Sequence, residues 1–272
     1  MQLLSILPID LISELFDFID KDKAKEIVEL LNNDEVKKLY YRSYEFDIDR
    51  MELGEFEYNY IRKIITTNLE ILDKFTYITH LTFGRYFNEH IDKLPNSITH
   101  LIFVNYSDFN KSVDKLPNSV THLTFGERFN KPVDKLPNSI THLTFGFKFN
   151  QSVDQLPNSI THLIFDKNSS FNEPIDQLPD SITHLIFGFK FNQRVDQLPN
   201  SITHLTFGSE FNQSVDQLPN SITHLSFGSD FNKPVNNLPK SITHLTFGKY
   251  SKFDQSINKY PNLKIHFIDK NK

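Results

Sequence analysis

The chain has 272 residues, 38% hydrophobic and 23% charged, which is enough for one or two packed domains. The absence of cysteine excludes disulfides, zinc–thiolate sites and thiol catalysis. A net charge of -5 without a basic patch argues against binding a phosphate backbone, and no apolar run approaches the ~20 residues of a membrane span. The start, Met1 to Pro8, lacks the basic opening and longer apolar stretch of a secretory signal. These features describe a soluble, monomeric, cytoplasmic protein, with no cofactor and no nucleic-acid or membrane partner.

Residues 1–70 are not repetitive and read as a helical cap. Leu11, Leu15 and Phe18 recur at helical spacing, with Asp10 placed to cap the helix and Glu14 in its first turn. A second helix is expected from Ala24 to Leu31, with Ile27, Leu30 and Leu31 inward, broken by Asn32-Asn33. Asp34 is placed to cap a third, which carries Val36, Leu39 and Tyr40. A short strand is expected near Phe46 to Leu53, and Glu55 to Leu72 reads as helix leading into a long repetitive stretch.

From 71 to 267 one phrase recurs, approximately Leu-Pro-Asn-Ser-Ile-Thr-His-Leu-Thr-Phe-Gly, before a short polar tail at 268–272. Its histidines are His80, His100, His122, His142, His162, His184, His204, His224 and His244, always 20 or 22 residues apart. A fixed period in this range marks a solenoid whose coils pack on their neighbours. In the copy that starts at Leu116, Leu116-Pro117-Asn118-Ser119 reads as a turn and Val120 to Phe125 as a strand that Gly126 ends. Leu123 and Phe125 then share one face and His122 and Thr124 the other. The loops after Phe103, Phe165 and Phe247 are two residues longer than the rest, so this loop lies on the surface. At the decayed C-terminal copy Lys264 takes the histidine slot.

Repetition bears on function. Equivalent positions repeated along the chain, nine for His, eight for Asn and seven for Asp, are the mark of a scaffold, whereas an enzyme needs one site; no nucleophile–base pair or phosphate loop stands out, and the chain reads as non-enzymatic. The histidines read as neutral imidazoles lining the inner face, with a small cation shared between stacked rings as the alternative. If stacked, they cannot all charge, and their folded pKa values should be lowered. Asp92, Asp114, Asp134, Asp154, Asp176, Asp196 and Asp216 read as turn caps rather than calcium ligands. The asparagines from Asn88 to Asn232 read as partners for loop backbone, and pairs such as Phe125 and Phe129 as core. What varies is the rim after each strand. The candidate partner-binding residues there are Arg85, Tyr86, Tyr106, Arg128, Phe147, Lys148, Phe189, Lys190 and Tyr250, with Phe147 and Phe189 as exposed anchors.

The phrase, followed by Phe-Asn and Pro-Val-Asp or Ser-Val-Asp, resembles the FNIP repeat, a relative of leucine-rich repeats; Ile98, Leu101 and Phe103 match the leucine-rich spacing. The resemblance implies an α+β fold: an N-terminal helical domain, then a leucine-rich-repeat-like parallel β-solenoid of about nine to ten repeats that binds a protein along its inner face and one rim. Residues Leu7 to Ile19 resemble the opening of an F-box, a three-helix adaptor that docks on Skp1 in a cullin–RING ubiquitin ligase. That second resemblance implies Skp1 docking through Leu7, Pro8, Leu11, Leu15 and Phe16, and a substrate-receptor role of the kind found in amoebae and the large viruses that infect them. A stand-alone scaffold or decoy, with the helices only capping the solenoid, is the alternative.

Overall fold

The structure, a computed structural model, describes residues 9–53, 57, 59, 61–254 and 263–268. Three short helices come first: α1 (Ile9–Phe16), α2 (Lys21–Leu31) and α3 (Asp34–Ser43), with α1 and α2 both packed on α3. The Asp20 side chain caps α2 by accepting the Lys23 N–H at 2.9 Å, and Asn32 ends it in the left-handed region at φ 43°. The cap of α3 is Asn33 rather than Asp34, because its Oδ1 accepts the N–H groups of Glu35 (2.8 Å) and Val36 (3.3 Å). Asp10 lies within α1 rather than before it.

Helical spacing misjudged two side chains. Phe18 is 86% exposed because α1 ends at Phe16, and Leu30 is 61% exposed on the outer side of α2. The apolar centre of this unit is Ile12, Phe16, Ala24, Val36 and Tyr40. Phe16 is gripped by Tyr40 and Tyr44 at ring distances of 6.5 and 6.0 Å, and the Tyr44 hydroxyl donates to the Phe16 carbonyl at 2.7 Å.

Among the described residues twelve strands form one parallel sheet in sequence order. They are β1 (Glu45–Asp47), β2 (Lys63–Thr66), β3 (His80–Phe83), β4 (His100–Phe103), β5 (His122–Thr124), β6 (His142–Phe145), β7 (His162–Phe165), β8 (His184–Ile186), β9 (His204–Thr206), β10 (His224–Phe227), β11 (His244–Phe247) and β12 (Lys264–Phe267). Every histidine pairs in register with the next, and the row runs on into Lys264 as the repeat pattern requires. Two strands precede the repeats. The stretch expected as helix from Glu55 to Leu72 is helical at Glu57 and Asn59, where the Ile61 N–H donates to the Glu57 carbonyl at 3.0 Å, and again at Glu70–Lys74 as a 3₁₀ segment, but between them it contains β2, because the β-branched run Ile64-Ile65-Thr66 favours a pleated surface. Lys63 faces His80 and Ile64 faces Leu81, so β2 has the burial pattern of a repeat without its letters. The strand expected to reach Leu53 stops at Asp47, where a 3₁₀ turn over Ile48–Arg50 begins.

Inside each coil the Leu and Phe of the strand are buried while His and Thr face out, as the two-residue period demands. The Phe that follows the strand lies flat against it: Phe125 and Phe129 stack at 3.7 Å and 5°, and Phe145 and Phe149 at 3.6 Å and 9°. Equivalent rings of successive coils report the local coil spacing. It is 4.0 Å from His80 to His100 and 4.4 Å from His224 to His244, but 5.7 Å between Phe207 and Phe227 and 6.2 Å between Phe129 and Phe149. The coils therefore fan outward from the histidine face, which is the inner face of a curved solenoid.

Polar groups tie the coils together. The Asn130 N–H donates to Asn110 Oδ1 at 3.0 Å and the Asn150 N–H to Asn130 Oδ1 at 2.9 Å, so each asparagine replaces a backbone acceptor that the loop lacks. Serines such as Ser139 and Ser159 donate to the carbonyls of Val120 and Ile140 at 2.7 and 2.6 Å. The Asp row does not cap turns. Three of its carboxylates reach the next coil, Asp92 to Lys115 at 2.8 Å, Asp114 to Lys135 at 3.3 Å and Asp216 to Asn237 at 3.2 Å, while serine takes the local role by accepting the Asp114 N–H at Ser112 Oγ, 3.2 Å. The reason is exposure: these side chains point to solvent, where a cation one coil away is a better partner than a turn amide.

At the glycine after the strand, backbones of adjacent coils touch. A Cβ on Gly208 would fall 1.9 Å from the Gly188 carbonyl oxygen. Gly208→Ala is therefore expected to cost about 1–3 kcal/mol by forcing two coils apart. A urea midpoint equal to that of the unchanged protein would refute this close-contact role. Two of the three coils with longer loops put Val104 and Asp166 at this position instead, while the third keeps Gly248. Among the described residues no helix is long and apolar enough to cross a membrane.

Candidate functional site

Two surfaces stand apart from the core: the inner histidine face and the rim of loops beyond the strand ends. On the inner face the nine imidazoles form a continuous stack, with planes within 13° of parallel, between Lys63 and Lys264. Each ring is fixed by its own threonine, as where Thr121 Oγ1 lies 2.9 Å from His122 Nδ1 and 3.2 Å from the Thr99 carbonyl. Burial, and after it the charge of neighbouring histidines or lysines, holds His80, His100, His122, His162, His204 and His244 below the ordinary imidazole pKa. The stack does not suit a metal ion. Parallel rings aim their lone pairs in parallel rather than at one point, and among the described residues no three His, Asp or Glu side chains converge.

The rim is rigid because its backbone carries a second ladder. The Glu127 N–H donates to the Asn105 carbonyl at 2.6 Å, the Lys148 N–H to Glu127 at 2.9 Å and the Ser170 N–H to Phe147 at 2.8 Å. The longer loops rise from it, and those at 104–108 and 166–170 are each closed by a buried serine. The Ser107 N–H donates to the Val104 carbonyl at 2.8 Å while Ser107 Oγ accepts from Phe109 at 3.2 Å; Ser169 repeats this toward Asp166 and Phe171. Between the loops at 104–108 and 166–170 lie two short coils, and the space above them is a groove of about 540 Å³.

The groove brings together four of the rim residues expected from sequence: Tyr106, Phe147, Phe189 and Lys190. Phe147 and Phe189 are each 40% exposed. Arg85 and Tyr86 sit on the coil before the first long loop, with the guanidinium 5.5 Å from the Tyr86 ring, and Tyr250 tops the last long loop at φ 63°. Arg128 is engaged with Asp108 at 3.2 Å, and Lys148 is exposed beside Phe147 without lining the groove. Rim residues outside the candidate set also line it, chiefly Glu127, Asp166 and Asn168. The signal for them was the paired loop lengths after Phe103 and Phe165, which frame the two short coils.

The candidate Skp1-docking residues fare unevenly. Leu7 and Pro8 lie outside the described residues, Leu11 is exposed and Leu15 half-buried. Phe16 is 2% exposed and belongs to the core of the helical unit, so it is not a docking residue.

A parallel sheet in sequence order, one strand per coil, with a stacked core and a loop rim, defines a leucine-rich-repeat-like solenoid, a class built for protein interaction. The FNIP Repeat model matches residues 76–106, 109–148, 129–168, 149–190, 191–230 and 211–250, together more than half of the chain, and the protein belongs to the FNIP repeat family. No curated protein matches it. Among solved structures it is similar to CroV588, a circular leucine-rich-repeat protein of the giant virus CroV, at 45% identity and a TM-score of 0.62. The match covers 77% of this chain and 32% of CroV588, so the chain spans about a third of that protein's length.

Proposed function

We propose that the chain is a non-enzymatic recognition module that holds a protein partner against its loop rim and inner face. The observation that supports this is the groove between the long loops, where three exposed aromatic rings stand on a backbone fixed coil to coil. Proximity labelling in the native host tests it. Partners labelled by the unchanged protein should be lost by a Tyr106→Ser, Phe147→Ser, Phe189→Ser variant, and an identical labelled set would refute the rim.

The finer reading makes the module the substrate receptor of a Skp1–cullin–F-box-type ligase. It draws support from the three-helix unit and from Leu11 exposed on α1. The burial of Phe16 and the pairing of β1 with β2 favour a second reading, in which the helices cap a stand-alone scaffold or decoy. A pull-down with recombinant Skp1 separates them: the ligase role requires binding that Leu11→Asp abolishes, and no binding by the unchanged chain leaves the cap.

A further inference from the structure

Phe147 stands on the rim with Glu127 one coil before it and Asp166 one coil after it, and all three line the same groove. Among the described residues neither carboxylate is paired with a cation; Asp166 Oδ1 accepts the Asn168 N–H at 2.8 Å. Of the cations closest in sequence, Arg128 pairs with Asp108, and Lys148 and Lys167 share these loops without lining the groove. Lys190 does line it, but its ammonium is held by Glu210 at 2.6 Å and lies 5.2 Å from the Phe189 ring. The groove therefore offers two unpaired negative charges around an exposed aromatic ring, with Tyr106 and Phe189 as further aromatic walls.

That combination is selective. A ring face attracts a cation, and a planar guanidinium can stack on the ring while forking toward carboxylates. An acidic segment is repelled by the same two groups. We propose that the groove recognises an arginine-bearing extended segment of the partner protein, its guanidinium seated on Phe147 between Glu127 and Asp166. This rests on the rim being the docking surface and adds the chemistry it selects.

The test is selection of a displayed random peptide library on the immobilised full chain. The selected peptides are then measured by fluorescence anisotropy against the Glu127→Gln, Asp166→Asn double variant and against Phe147→Ala. Both variants alter exposed or half-exposed side chains, and unchanged melting temperatures confirm their folding. The proposal expects arginine in the selected peptides and a loss of about tenfold in affinity on the double variant. Peptides without a basic residue, or peptides that need Phe147 but bind the double variant unchanged, overturn the arginine assignment and leave the rim as docking surface. Peptides indifferent to all three substitutions overturn both.

Discussion

Phe149→Ala is expected to destabilise the solenoid by about 3–5 kcal/mol, the range for emptying a fully buried aromatic site. Phe149 has 0% exposure, lies flat on Phe145 at 3.6 Å and stands in a column with Phe129 and Phe171 at 6.2 and 6.1 Å. Those neighbours cannot close the gap, because each is itself stacked within its own coil, Phe129 on Phe125 and Phe171 on Phe165. Stability in such an array is close to a sum of coil and nearest-neighbour terms, so a mid-array cavity weakens two interfaces. Phe267, in the last described strand, stacks on Phe247 at 5.0 Å and is 53% exposed, so Phe267→Ala should cost roughly 1 kcal/mol. Urea denaturation of the two variants gives the comparison. Equal shifts in midpoint would mean that the phenylalanine columns do not carry the coupling between coils.

The sequence made the coil legible because one environment recurs at a fixed period. The alternation of Leu123 and Phe125 against His122 and Thr124 could be read directly, and so could the surface position of the long loops. It failed where the same environment is built from other letters: Lys63-Ile64-Ile65-Thr66 stacks as a repeat strand but shares no phrase with one. In the helical unit, spacing defines an apolar stripe but not where a short helix stops, which exposed Phe18 and Leu30 and buried Phe16. Loop lengths framed the groove, yet its floor depends on which rims fall between two long loops, a relation across 62 residues from Ser107 to Ser169 that only the stacking creates. The Asp row misled because a carboxylate beside a turn has two partners in reach, and at Asp92 and Asp114 the coil spacing chose the neighbouring lysine.

Lowering the pH from about 7.5 to about 5 is expected to lower the stability of the solenoid progressively. The unfolded imidazole titrates near 6.5, and six of the stacked histidines titrate lower when folded, chiefly because charging them is opposed by burial. A lowered folded pKa gives stability that is complete above about 6.5 and is lost as pH falls through the folded values. Rings 4.0–4.4 Å apart also repel once charged, so the first protons suppress those next to them and the loss spreads over a wide range. Lys63 and Lys264 at the ends add to this, as does His266 beside His244. There is a local cost as well. The Thr99 carbonyl already accepts the N–H groups of Thr121 and His122 at 2.9 and 3.0 Å, so the Thr121 hydroxyl proton is best used toward Nδ1 of neutral His122. Protonating that nitrogen turns the hydroxyl to the crowded carbonyl at 3.2 Å. The lowered carboxylates, Asp20 and Asp92, titrate below 3.8 and stay out of this window. Urea midpoints across the range should fall less steeply for a His122→Asn, His162→Asn, His204→Asn variant. The slope should survive added salt, which screens neighbouring charges but not burial. A flat profile for the unchanged protein, or an equal slope for the variant, would show that the stack carries its protons at no cost to the fold.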